Sequence, residues 1–163
     1  MKTLIVYYSY SGITEKVVKL YESELAKSGS VTVQRLKPSQ EINTFLGQCR
    51  AAFSRKRAEL NEGAKFDVKD YDLVIICSPV LAFAPAPAIN TYLDKLSGVE
   101  GKKTVILLTS GSGAGVGNCF NTIRKLLEDK KAARVDTINV PNRTMHDEET
   151  IIKNLRKAIW PHP

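Results

Sequence analysis

Apolar runs of strand length recur along the chain, and most are followed by a stretch whose apolar residues return every three or four positions. The first run, Thr3-Leu4-Ile5-Val6-Tyr7-Tyr8, leads to Ile13, Val17, Leu20, Tyr21 and Leu25 at helical spacing, with Glu15, Lys16, Lys19, Glu22 and Lys27 mainly elsewhere. This pattern predicts an amphipathic helix over residues 13–25, ended by Ser28-Gly29-Ser30. Val31-Thr32-Val33-Gln34-Arg35-Leu36 alternates as a short strand before Pro38, and its polarity suits a sheet edge. Residues 42–60 predict a second helix with Phe45, Cys49, Ala52, Phe53 and Leu60 on its inner side. Leu73-Val74-Ile75-Ile76, within residues 72–77, is continuously apolar, as in a strand covered on both faces of a parallel sheet; residues 104–109 are of the same kind. Helices follow at residues 88–96 and around Phe120, Ile123 and Leu127. Residues 132–140 give a fifth strand, and Ile151, Leu155, Ala158 and Ile159 a closing helix capped near Asp147.

Five strand-helix units joined by right-handed crossovers predict an α/β fold: one domain over residues 1–163, with an open five-stranded parallel sheet and helices on both faces. In such a sheet the ligand crevice lies beyond the carboxyl ends of the strands where their order reverses. With the strands in the order 2-1-3-4-5, the loops after strands one, three and four would meet there. The first, Ser9-Tyr10-Ser11-Gly12-Ile13-Thr14, offers hydroxyl donors at a helix N-terminus, where free amides and the helix dipole favour an anion. It contains no lysine, which separates it from the triphosphate loop Gly-x-x-x-x-Gly-Lys-Ser/Thr and points to a monophosphate held by neutral donors. The alternative is that Ser11 or Thr14 simply caps the helix.

The second loop, Ser78-Pro79-Val80-Leu81-Ala82-Phe83-Ala84-Pro85-Ala86-Pro87, is rigid, with Leu81 and Phe83 left without a strand or helix to bury them. The third, Ser110-Gly111-Ser112-Gly113-Ala114-Gly115-Val116-Gly117-Asn118, is rich in glycine. It fails the dinucleotide pattern Gly-x-Gly-x-x-Gly, because Val116 or Asn118 stands at the last position. It reads either as a flexible turn or as a run of amides facing a flat polar ligand edge.

Composition narrows the chemistry. With 43% hydrophobic residues over 163 positions the chain supports one core, and no apolar run approaches the roughly 20 residues of a membrane span. The N-terminus enters a strand pattern without a separate hydrophobic segment, so the cytoplasm is the expected compartment. Cys49, Cys77 and Cys119 lie far apart and read as reduced core residues; His146 and His162 are too isolated for a metal site. The net charge of +7 favours anionic partners, but 7% aromatic content and the absence of any recognition signature argue against nucleic acid. In the second helix Arg50 and Arg57 come together beside Phe53, as part of a solvated face or as a clamp for a nucleotide phosphate.

Taken together, the three loops make the whole chain resemble the flavodoxin-like family of FMN-binding proteins, especially its short-chain members, and the resemblance implies a doubly wound five-stranded parallel sheet in the order 2-1-3-4-5. The motif Ser9-x-Ser11-Gly12-x-Thr14 matches that family's phosphate loop, and residues 78–87 and 109–117 resemble its second and third flavin loops. The resemblance implies that Ser9, Tyr10, Ser11, Gly12, Ile13 and Thr14 hold the phosphate of FMN. Pro79, Val80, Leu81, Ala82 and Phe83 would cover one isoalloxazine face, and Ser110, Gly111, Ser112, Gly113, Gly115 and Gly117 would meet its polar edge.

Where those relatives often carry tryptophan this chain has Leu81, and where they have glycine two residues later it has Phe83. Phe83 either stacks on the flavin from a shifted position or occupies the flavin's place. The family's electron carriers are acidic, so a chain at +7 is ill suited to their basic partners. The expected function is FMN-dependent redox chemistry: electron transfer, or reduction of a small acceptor with NAD(P)H as donor. A fold-retaining scaffold without tight FMN binding is the alternative. The implied partners are a small-molecule or protein electron donor and acceptor, with no membrane, and the choice between monomer and homodimer stays open.

Overall fold

In the computed structural model, which describes residues 1–160, strands and helices alternate as the apolar pattern requires. The elements are β1 (Lys2–Tyr7), α1 (Ile13–Leu25), β2 (Ser30–Arg35), α2 (Phe45–Phe53), β3 (Leu73–Leu81), β4 (Ala84–Pro85), α3 (Pro87–Lys95), β5 (Lys103–Ser110), α4 (Val116–Asp129), β6 (Arg134–Pro141) and α5 (Glu148–Ile159). A single 3-10 turn, Asn142–Thr144, precedes α5. The sheet runs β2-β1-β3-β5-β6 with every neighbour parallel, and β4 folds back antiparallel onto β3 off that path. With β4 set aside, this is the predicted order 2-1-3-4-5. His162 lies outside the described residues.

Alternation along the central strands divides the core. Leu4, Val6, Val74 and Ile76 face α3 and α4 through Ile89, Tyr92, Leu93, Ile123 and Leu127. Ile5, Ile75 and Cys77 face α1 and α5 through Val17, Tyr21, Ile151 and Leu155. Both faces of β1 and β3 are therefore dry, which is why their sequences are continuously apolar rather than alternating. The edge strand β2 is mostly half-exposed, as its polarity predicts. Asp147 caps α5 by accepting a hydrogen bond from the Thr150 amide at 2.9 Å. Across the second face Glu24 of α1 accepts from Arg156 of α5, at 2.6 Å, and from Lys27, at 2.7 Å.

Two elements differ from the sequence reading. The second helix is confined to Phe45–Phe53; it buries Gln48, Ala51 and Ala52 while Phe45 and Phe53 are 64% and 72% exposed, and Cys49 and Leu60 are half-buried. The small residues Ala51 and Ala52 allow close packing, and the larger apolar side chains lie outside it. The helix stops because the Ser54 hydroxyl donates to the Arg50 carbonyl at 2.9 Å, and the amides of Arg55 and Lys56 turn back to the carbonyls of Ala52 and Ala51. This is a Schellman ending with Arg55, at φ 52°, in the left-handed position that glycine usually holds.

Residues 78–87 are also not a simple rigid loop. β3 continues through Pro79 and Val80 to Leu81, turns at Ala82 and Phe83 with φ of 46° and 68°, and returns as β4. Positive φ at both turn residues matches the strand twist of a two-residue hairpin. The turn buries Leu81 and leaves Phe83 exposed. The Ser78 hydroxyl accepts from the Ala86 amide at 3.0 Å and fixes the hairpin base.

Two outcomes follow from these contacts. Replacing Arg55 by glycine relieves a left-handed side-chain clash and should raise unfolding free energy by up to about 1 kcal/mol in chemical denaturation. The Lys27 hydrogen bond, then that of Arg156, holds the Glu24 carboxyl below its ordinary 4.5, so its contribution is complete above that pH and lost as pH falls through the lowered value. The stability difference between wild type and Glu24→Gln should therefore shrink as denaturation is repeated from pH 6 down through the acid range.

Candidate cofactor-binding site

β1 delivers its chain directly into α1, and that junction builds the first wall of the site. Gly12, at φ 83°, is the N-cap residue and makes no side-chain cap to the helix. Neither Ser11 nor Thr14 is thus a helix cap. Ser11 is exposed, whereas the buried Thr14 hydroxyl shares a 2.8 Å hydrogen bond with that of Thr109 at the end of β5. The pair spends one hydroxyl proton on itself and leaves the other for a ligand. Ser9 is buried and its Oγ lies 3.4 Å from the Glu15 amide, so it supports the helix start from behind. Glu15, the acid of this first turn, is neutralised by Lys19 at 3.2 Å and Arg35 at 3.1 Å. Its charge is answered before it can oppose an anion at the helix end.

The three predicted loops do converge, on an open cavity of about 220 Å³. Tyr10, Ser11, Ile13 and Thr14 form one side; Pro79, Val80 and Leu81 of β3 form another; Thr109, Ser110 and Gly111 close the end of β5. The Ser110 hydroxyl donates to the Asn139 side chain at 3.0 Å, which holds it at the cavity edge. Phe45 and Asn142 complete the lining, and none of these residues carries a charge.

Phe45 and Asn142 are lining residues the sequence reading missed, Phe45 because it was assigned to the buried side of α2. A network behind it explains its position. Tyr8, just beyond β1, donates its phenol proton to Glu41 in a short hydrogen bond, while the buried Gln48 amide donates to Tyr8 Oη at 2.8 Å and to the Ile42 carbonyl at 2.9 Å. Burial, then the Glu41 hydrogen bond, pushes the Tyr8 phenol far above its ordinary range, so it remains a donor. Tyr10 Oη donates to the Asn43 carbonyl at 3.0 Å, and Thr44 caps α2 by accepting from the Gly47 amide at 3.2 Å. These bonds strap residues 41–48 across the β1 end and hold Phe45 at the cavity mouth.

Other expected residues serve the site from outside its lining. Gly12 shapes the α1 entry, and a Cβ there would meet open space but for the strain of its φ. Ser112 accepts from the Ala114 amide at 3.3 Å within the third loop, Gly113 turns that loop at φ 84°, and Gly117 lies in the first turn of α4. Gly115, the α4 N-cap, has a steric role: a Cβ there would lie 2.6 Å from Phe83 Cα. Ala82 and Phe83 point away from this cavity and line another. The arginine clamp is not assembled either: Arg57 is paired with Asp94, and Arg50 lies on the exposed surface of α2. Cys77 and Cys119 are buried thiols, and burial pushes Cys119 up to about 12.

The family model described as Flavodoxin matches residues 2–148. The chain belongs to the flavodoxin family. A comparison with the curated proteins gives no significant match. Solved flavoproteins share the fold. The Lactobacillus acidophilus flavoprotein, crystallised with FMN, is 22% identical, with a TM-score of 0.65 over 91% of this chain and 98% of that one. A candidate flavoprotein of Bacteroides uniformis is 20% identical at a TM-score of 0.72, covering 93% and 97%. General stress protein 14 of Treponema denticola, also in complex with FMN, is 14% identical at 0.58, covering 98% and 96%.

The flavodoxin family is FMN-binding, and the residues present suit that cofactor on physical grounds. The α1 terminus and Ser11 offer neutral donors to a phosphate, and the one acid nearby is already paired. Tyr10 and Phe45 offer aromatic faces beside the apolar Val80 and Leu81. Phe83 lies outside this cavity, whereas Leu81 lines it. Two substitutions test the framework. Thr109→Val orphans the Thr14 hydroxyl and should cost about 1–3 kcal/mol in denaturant unfolding. Gly115→Ala forces a Cβ against the Phe83 backbone at unfavourable φ and should cost about 1–3 kcal/mol by the same measurement.

Proposed function

We propose that this chain binds FMN in the three-loop cavity and works as an FMN-dependent oxidoreductase. The observation that carries the reading is one neutral cavity at the strand-order reversal, bordered by a helix N-terminus on one side and aromatic and apolar side chains on the other. FMN, when bound, supplies reversible uptake and release of one or two electrons. Ser11, the free α1 amides and the Thr14–Thr109 pair would hold its phosphate. Tyr10, Phe45, Val80 and Leu81 would flank the ring and exclude water, and Ser110, Gly111 and Asn142 would face its polar rim. A net charge of +7 beside an uncharged lining concentrates anionic reactants without placing a cation against the ring. An anionic nicotinamide nucleotide as donor and a small molecule as acceptor fit that field better than docking to a basic electron-transfer protein. A cytoplasmic setting suits three free cysteines.

Titration of FMN-free protein, followed by flavin fluorescence and absorbance, tests the reading. Saturable binding is expected. Ser11→Ala should weaken it by roughly tenfold or more, as for the loss of a hydrogen bond to a charged group, and Phe45→Ala by about fivefold, as for the loss of an aromatic stack. Absence of binding at high micromolar FMN would reject it.

A further inference from the structure

Beyond the hairpin turn lies a second cavity, of about 420 Å³, which the flavin reading does not use. Pro79, Val80 and Leu81 line the first cavity, whereas Ala82, Phe83 and Ala84 line the second, so the β3–β4 hairpin is their common wall. Across from the turn stand Phe53 and Arg55 at the end of α2, with Asn118 and Asn121 on α4. We propose that this cavity binds a planar aromatic compound carrying one anionic group.

Three observations carry the proposal. Phe53 and Phe83, 72% and 54% exposed, present aromatic rings to solvent on a single cavity, where a flat ligand would bury both. Arg55 is the only charged residue of the lining; among the described residues its guanidinium forms no ion pair, whereas neighbouring Arg57 is committed to Asp94. A fork of donors without an acid is suited to a carboxylate or phosphate, and Asn118 and Asn121 add amide groups for the remaining polar edge. Finally, among the described residues, three of the four non-glycine residues with positive φ are Arg55, Ala82 and Phe83, all on this one cavity. Backbone strain gathered on one concave surface is characteristic of sites where side-chain placement outweighs stability. Gly115 contributes to the same end, since only a residue without Cβ lets the Phe83 turn lie so close to α4.

The inference stands apart from flavin binding, so the two can fail separately. The test uses 2-naphthoate as probe, titrated calorimetrically into the full chain both free of FMN and in its presence. Saturable one-to-one binding is expected in both, weakened about tenfold or more by Arg55→Gln and several-fold by Phe53→Ala. Ser11→Ala should leave it unchanged. The neutral 2-naphthamide should bind at least about tenfold more weakly. Arg55→Gly should lose the probe while unfolding at higher denaturant, which distinguishes loss of a ligand group from loss of structure. Binding that survives both Arg55→Gln and Phe53→Ala, competes with FMN, or is absent up to the order of 1 mM probe would overturn the proposal.

Discussion

Everything functional here depends on parallel pairing between β1 and β3, with Ile5 opposite Ile75 and Tyr7 opposite Cys77. Both strands are covered on both faces, so neither can shift register without exposing apolar side chains or burying polar ones. Because β2 lies on one side of β1 and β3 on the other, successive crossovers leave β1 in opposite directions, and a crevice opens above their carboxyl ends. The ends of β1, β3 and β5 are brought to that crevice by the sheet itself. Loop chemistry then needs only to fill a place already made.

That chemistry is notable for its lack of charge. A helix end and hydroxyls offer an anion neutral donors without the large desolvation cost of burying a lysine or arginine, while the helix dipole still favours the anion. Glu15 illustrates the same balance, since its pairing with Lys19 and Arg35 keeps an acidic first turn compatible with a second negative group. The protein's positive charge is thereby left to its wider surface, where it acts at long range and is screened over about 10 Å in ordinary salt.

The β3–β4 hairpin separates two cavities with different character, one neutral and one carrying a single arginine. Its position is held by the Ser78 contact at its base and by Gly115 beneath its tip. Rigid packing at both ends means that residues two positions apart in sequence, Leu81 and Phe83, have opposite fates: one becomes wall and core, the other an exposed ring.

The sequence by itself determined the five parallel strands and the helices other than α2, because dry central strands and amphipathic helices write their burial into the spacing of apolar residues. It also determined the hydroxyl-rich first loop, whose value depends on residues adjacent in the chain. Only the tertiary structure decided the rest. The end of α2 turned on the Ser54 hydroxyl and a left-handed Arg55, neither of which periodicity registers. Phe45 reached the cavity mouth because Tyr8, Glu41 and Gln48, up to 40 residues apart, bond across the end of β1. The hairpin lacks the Asn-Gly or Asp-Gly turn by which such a feature is ordinarily read, and Ala82 and Phe83 adopt its geometry under constraint from α4. Local pattern reports what a segment must bury; which exposed residues then meet one another is set by the packing of segments that are distant in sequence.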